Sequence, residues 1–308
     1  MRFGIALHES GSARTLEALR RADALDVPVA WLTSGGSEQM TLLAAAAATT
    51  RQICLGTAIV PTYPRHPVVL AQQVAVIEAV SPGRFILGVG PSHQPIVEGF
   101  FGIPFVRPLA HLREYVAILR QALEQGTVDF EGEFFKVHFP RTETARVPIL
   151  ISALREASFR VAGEISDGGI SWICPASYLA RVAMPALVQG AVTGGRQNPL
   201  LIGHCFVCVN TDREAVRADA RERLALYPRL PFYQKMLALS GDEEAAAGHV
   251  SERMIDSVVV QGDATVCADG LRRFAEESRS DEVIVSLMAV GSDRDSQLEA
   301  AMKVVASL

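Results

Sequence analysis

Short aliphatic and β-branched runs alternate along the chain with stretches whose apolar positions recur every three to four residues. That order is the signature of a parallel sheet wrapped by helices. Eight strands are predicted, at Arg2 to Leu7, Val29 to Thr33, Ile53 to Val60, Arg84 to Val89, Pro148 to Ser152, Gly169 to Cys174, Leu200 to Val209 and Glu282 to Leu287. Between them, LAHLREYVAILRQALEQG places Leu112, Tyr115, Val116, Leu119 and Leu123 on one helical face, and Gly126 stands where that helix should stop. HPVVLAQQVAVIEAV repeats the pattern with Leu70, Val74 and Ile77. Eight such units in 308 residues predict an α/β fold, a single (β/α)₈ TIM barrel over residues 1–308, with the surplus length spent on insertions.

Two insertions are expected, near 126–147 and 228–256. In the first, VDFEGEFFKVHFP (Val128 to Pro140) has a strand, a Glu-Gly turn and a second strand, and reads as a hairpin capping the barrel before its fifth strand. In the second, the Ala-rich and acidic segment from Pro228 to Met254 reads as extra helix and loop. Either segment would serve as a lid or as an oligomer contact.

Alternation within strands assigns their faces. In FGIALHE, Phe3, Ile5 and Leu7 should face the helices, with Gly4, Ala6 and then His8 turned inward and toward the mouth. In RFILGVG the same parity sends Phe85, Leu87 and Val89 outward, and Ile86, Gly88 and Gly90 inward. Inward glycines either let a flat ligand approach the backbone or fit a tapering core.

Composition narrows the partners. Hydrophobic residues make up 49% and charged residues 20%, which suits a large core and excludes a disordered or fibrous chain. The net charge of -5, with Lys and Arg scattered, argues against nucleic acid and against a membrane surface, so a small-molecule substrate is expected. No apolar run reaches the roughly 20 residues of a bilayer helix. Five cysteines from Cys54 to Cys267 do not form a secreted disulfide framework, and MRFGIALHES reads as a strand rather than a signal segment; a cytoplasmic location is the default.

GVGPSH superficially matches a dinucleotide fingerprint, but His93 stands at the third glycine and Pro91 removes an N–H from the phosphate cradle, so a Rossmann site is rejected. The C-x-x-C of Cys205 and Cys208 lies in a strand, where an odd separation points the two side chains to opposite faces; it reads as structural. The seven histidines (8, 66, 93, 111, 138, 204 and 249) are dispersed, and a metal site would have to be assembled from distant loops.

Three segments in order carry a likeness: LGTAIVPTYPRHPVVLAQQ, then SPGRFILGVGPSH, then PILISALREASFRVAGEISDGGISWICP. Together they resemble the bacterial luciferase-like family, nearest to its branch of oxidoreductases that use the deazaflavin coenzyme F420. The likeness covers most of the chain, including the hairpin and the closing strand DEVIVSLM. It implies a (β/α)₈ barrel with the cofactor at the carboxyl mouth, its ring backed by a bulge in the third strand and a non-proline cis peptide joining Ala58 and Ile59. It also implies that Gly90, Pro91, Ser92 and His93 line one side of the cofactor. The phosphate end is expected by Ser152, Ala153, Leu154 and Arg155, and by Cys174, Pro175 and Ala176. A helix starting near Leu154 would add its dipole to the charge of Arg155, which otherwise is a surface arginine.

One departure bears on mechanism. Many F420-dependent relatives carry an acidic residue and a histidine after the second strand, whereas this chain has Thr33, Ser34, Gly35 and Gly36. None of these titrates near neutrality, so the proton relay is missing or moved. His8, Glu9, His93 and Glu98 are the candidate acids or bases, with Tyr63, Arg65 and His66 as further lining residues; His66 before Pro67 equally suits a helix start. The resemblance implies hydride transfer between the reduced deazaflavin and a small organic substrate. Its rivals are an FMN-dependent monooxygenase using O₂ and reduced flavin, a non-catalytic flavin-binding barrel and, last, a metal-dependent hydrolase. A homodimer is expected, with the Ala-rich helix from Leu42 to Thr50 as one interface candidate that core packing explains equally well.

Overall fold

A computed structural model describes residues 1–7, 11–34 and 37–308. Its strands are β1 (Arg2–Leu7), β2 (Val29–Thr33), β3 (Cys54–Ala58), β4 (Val60–Pro61), β5 (Phe85–Gly90), β6 (Val128–Glu131), β7 (Lys136–Phe139), β8 (Ile149–Ser152), β9 (Gly168–Ile170), β10 (Leu200–Val209), β11 (Val259–Gly262) and β12 (Glu282–Met288). Parallel pairing runs β12, β1, β2, β3, β5, β8, β9, β10, and β10 returns to β12 to close the ring. Eight strand positions, helices between them and a common direction make a (β/α)₈ barrel. No helix among the described residues is long and apolar enough to cross a membrane.

The helical periods behave as read. Leu70, Val74 and Ile77 are fully buried on the helix Pro67–Val80, which Pro67 opens and whose first turn His66 caps by accepting from the Val68 N–H. Leu112, Tyr115, Val116, Leu119 and Leu123 are buried on the helix Pro108–Arg120 and the wider π turn that prolongs it to Gln125. Gly126 ends it with φ 71°, a left-handed value that suits glycine.

Strand parity also holds. Phe3, Ile5, Phe85, Leu87 and Val89 pack against the helices, while Ala6 and Ile86 join Val29, Trp31, Leu150 and Ile170 in a separate cluster inside the barrel. Trp31 is the plug. A Cβ on Gly4 or Gly56 would fall 2.9 or 2.5 Å from its indole, so the bare backbones of two strands make room for one ring. Its Nε1–H donates to Glu282 at 2.6 Å, and Arg2 Nε donates to the other carboxylate oxygen at 2.6 Å. Burial nevertheless holds the Glu282 carboxyl above its ordinary pKa, outweighing both partners.

Four expectations need adjustment. The third strand is broken after Ala58 rather than continuous to Val60. The sixth ends at Ile170, because the chain bends away through Ile173 at φ 53°. The hairpin β6–β7 is present but packs on the flank: the Glu114 carboxylate of the helix Pro108–Arg120 accepts from the backbone N–H groups of Glu133, Phe134 and Phe135. The second insertion forms helices Pro231–Leu239, Glu243–Ala246 and Glu252–Val258, and just beyond it β11 pairs with β10, a strand not among the eight expected. Cys205 and Cys208 are both buried, and all five cysteines are free.

Candidate active site at the barrel mouth

The register around β3 creates the floor of the mouth. Gly56 pairs with Ile86 and Val60 with Val89, so Thr57, Ala58 and Ile59 stand opposite only Leu87 and Gly88. This one-residue bulge is held by a side chain: Thr57 Oγ1 donates to the Gly88 carbonyl and accepts from the Gly88 N–H, each at 2.8 Å. The Ala58–Ile59 peptide is cis, as the resemblance implied.

Gly88 and Gly90 have different reasons to be glycine. A Cβ at Gly88 would lie 2.0 Å from the Thr57 carbonyl oxygen and 2.7 Å from Ile170, so the bulged backbone itself occupies that space, not a ligand. At Gly90 it would meet Ser152 Oγ at 2.0 Å and Ile59 at 3.3 Å. Gly90 therefore joins the ends of three strands: the bulge at Ile59, β5, and β8 at Ser152. Ala58, Ile59 and Trp172 remain half-buried on top of the closed interior cluster. They form an apolar shelf at the mouth.

Beyond Gly90 the chain passes through Pro91, Ser92 at φ 63° and His93, all half-buried, into the helix Gln94–Phe101. His93 stacks on Phe232 with centroids 5.0 Å apart, and burial depresses its pKa, so the imidazole is neutral at pH 7. Glu98 lies exposed on that helix, accepting from Gln94 Nε2 at 3.1 Å and from the Phe105 N–H at 3.2 Å. Its carboxylate ties down the following loop. His8 and Glu9 lie outside the described residues, as do Gly35 and Gly36.

The two turns expected to hold an anion are joined by one hydrogen bond, from Tyr178 Oη to the Leu154 carbonyl at 3.1 Å. The helix begins at Glu156, two residues later than expected, and Ser158 Oγ accepts from the N–H groups of both Leu154 and Arg155 at 3.0 Å. Ala153 N–H is spent on the Ile170 carbonyl. Those turn amides are therefore satisfied within the protein, and what faces outward is the exposed Arg155, which no carboxylate pairs among the described residues. Cys174, Pro175 and Ala176 are buried. Desolvation pushes the Cys174 thiol up to about 12, which keeps it protonated and unreactive. Pro175 and Ala176 border a 430 Å³ cavity toward β11.

A second group of mouth residues came from outside the quoted motifs. The His204 ring lies 3.6 Å under Trp172, accepts the Ile173 N–H at Nδ1 and meets Ser286 Oγ at 2.9 Å through Nε2. An amide donor at Nδ1 places the proton on Nε2, directed at Ser286. The second insertion then closes over this group. Trp172 Nε1 donates to Tyr227 Oη at 3.1 Å, Tyr233 Oη donates to the Trp172 carbonyl at 3.2 Å, and Phe232 covers His93. Inward parity of His204 on its strand was the available signal, but no local pattern paired it with Trp172.

The luciferase-like monooxygenase family model matches residues 1–282. The chain belongs to this family. It is 25% identical over 297 residues to the 5,10-methylenetetrahydromethanopterin reductase of Methanopyrus kandleri, covering 84% of each chain. It is 34% identical over 218 residues to the F420-dependent glucose-6-phosphate dehydrogenase of Nakamurella multipartita, covering 64% of this chain and 62% of that one. Among solved structures, an FMN complex of the oxygenating constituent of 3,6-diketocamphane monooxygenase from Pseudomonas putida shares the fold at TM-score 0.77 and 18% identity, covering 100% of this chain and 98% of that one. Relatives thus use F420 or FMN, and this luciferase-like barrel is that of an oxidoreductase family.

Proposed function

We propose that this luciferase-like protein is an oxidoreductase that transfers a hydride between coenzyme F420 and a small organic substrate at the barrel mouth. The observation that carries the reading is the half-buried shelf of Ala58, Ile59 and Trp172, set on a filled barrel and walled by the backbone of Gly90 to His93. A flat, mostly apolar ring fits such a shelf, and the Nakamurella multipartita relative, 34% identical over 218 residues, is F420-dependent by name.

When bound, the deazaflavin supplies a hydride-carrying ring carbon. The chain supplies position, dryness and a proton. Ala58 and Ile59 would support one face of the ring, and the backbone from Gly90 to His93 would wall it. Arg155, exposed and without a carboxylate partner among the described residues, would attract the anionic end. Phe232, Tyr233 and Tyr227 exclude water over Trp172. His93, neutral at pH 7, accepts a proton from an alcohol substrate in one direction and returns it to the carbonyl oxygen in the other.

The test is a fluorescence titration of the protein with F420 and with FMN, followed by anaerobic turnover with reduced F420 and a panel of carbonyl acceptors. Micromolar F420 binding, weakened in Arg155→Gln, with oxygen-independent oxidation of the reduced coenzyme is expected. Tight FMN binding with oxygen consumption would replace this reading by the monooxygenase one, and binding without turnover on any acceptor would reduce the barrel to a cofactor carrier.

A further inference from the structure

Beside the mouth, on the flank of the barrel, a cavity of about 450 Å³ lies between the loop that follows β4, the loop at Ile103 to Val106 and the hairpin tip. Its walls are aromatic: Tyr63, His111, Phe134 and Phe135, with Ile103 and Pro104 completing them. The walls are fixed in place. Glu114 holds the hairpin tip through three backbone N–H groups, and a Cβ on Gly132 would lie 2.4 Å from that carboxylate, so a larger residue there would push against the group that anchors the turn. Tyr63 Oη donates to the Val106 carbonyl at 2.7 Å, and its ring stacks on His111 with centroids 4.1 Å apart and planes 4° from parallel.

His111 is the polar centre of this space. Only 5% of it is exposed, and its buried Nδ1 has no hydrogen-bond partner among the described residues. Neither has the hydroxyl of Tyr115, one turn along the same helix and fully buried. Folds satisfy nearly all buried polar atoms, and each one left bare costs about 1–3 kcal/mol, so this pair leaves hydrogen-bonding capacity in and behind the cavity wall that no described residue uses. Charge narrows what could use it. Arg65, the one permanent cation on the lining, is already spent on Glu38 at 2.7 Å and on Gln73 at 2.5 Å, which leaves nothing to hold an anion. His66 is committed as the cap of the helix Pro67–Val80.

We propose that this cavity is a second ligand site, separate from the cofactor shelf, for a small uncharged aromatic alcohol of the phenol class. Its ring packs among Tyr63, Phe134 and Phe135, where offset and edge-on contacts are favoured, and its hydroxyl hydrogen-bonds the His111 imidazole. No bond is made or broken there.

Phenol itself is the probe. Saturation-transfer NMR and isothermal titration should show saturable binding to the full chain, weakened at least tenfold in His111→Phe, which keeps the ring but removes both nitrogens. Val106→Trp supplies the second variant: Val106 is half exposed on the cavity rim, and a larger side chain there blocks entry without disturbing the core. It should abolish phenol binding while F420 binding, read by fluorescence, stays unchanged. Absence of saturable phenol binding, or binding that survives in both variants, overturns the proposal. Because the F420 titration is read separately, loss of the cofactor reading and loss of this one are distinguishable.

Discussion

His111 offers a measurable handle on the flank of the barrel. Burial depresses its pKa from 6.5 to about 4, opposed only by Glu114, the carboxylate on the same helix. The other groups facing it are Tyr63 and the paired Arg65 from the loop after β4, Tyr115 one turn on, and Phe134 and Phe135 from the hairpin. None of them can neutralise an imidazolium. A depressed pKa means that the fold favours the neutral ring, so this contribution to stability is intact above pH 6.5 and is lost as pH falls toward 4. A shift of that size is worth about 3 kcal/mol, a large share of an ordinary domain's stability. In His111→Phe nothing titrates at this position. Urea unfolding followed by circular dichroism at pH 7 and at pH 4 should show the parent losing about 3 kcal/mol more than the variant. Carboxylates held at low pKa, among them Asp23, Glu38 and Glu164, lose stability in both proteins alike and cancel in the comparison. Parallel pH profiles for the two proteins would refute the claim that an uncompensated imidazole is buried here.

Two further substitutions probe the barrel interior. Gly88→Ala drives a methyl group against the Thr57 carbonyl, and overpacking of that kind costs about 1–3 kcal/mol; the urea midpoint should drop, and F420 affinity with it, because the shelf rests on the same bulge. Trp31→Phe removes the Nε1–H donor from Glu282 and should cost about 1–3 kcal/mol. Since the Glu282 pKa is already raised, its protonated form is the better tolerated one. The deficit should therefore be largest above that pKa and shrink as pH falls, and a pH-independent deficit would count against a charged Glu282 as its cause.

The sequence by itself determined what depends on neighbours along the chain. Helical period placed Leu70, Val74 and Ile77 inward, the Gly126 stop followed from the need for a left-handed residue, and strand parity separated Phe85, Leu87 and Val89 from Ile86, Gly88 and Gly90. Family likeness added the cis bond at Ala58–Ile59, which no local letters encode. Only the closed barrel decided the rest. Trp31 and Glu282 stand 251 residues apart and meet because the first and last strands close the ring. The same closure laid Trp172 on His204, set Phe232 over His93 and gave Gly88 a structural reason in place of a ligand-facing one. It also showed that Ser158 takes the turn amides beside Arg155 and that Glu98 secures a loop. Periodicity reports which face of an element is buried, because that follows from backbone geometry. Which two buried faces touch depends on how strands shear and loops return, and that is a property of the folded whole.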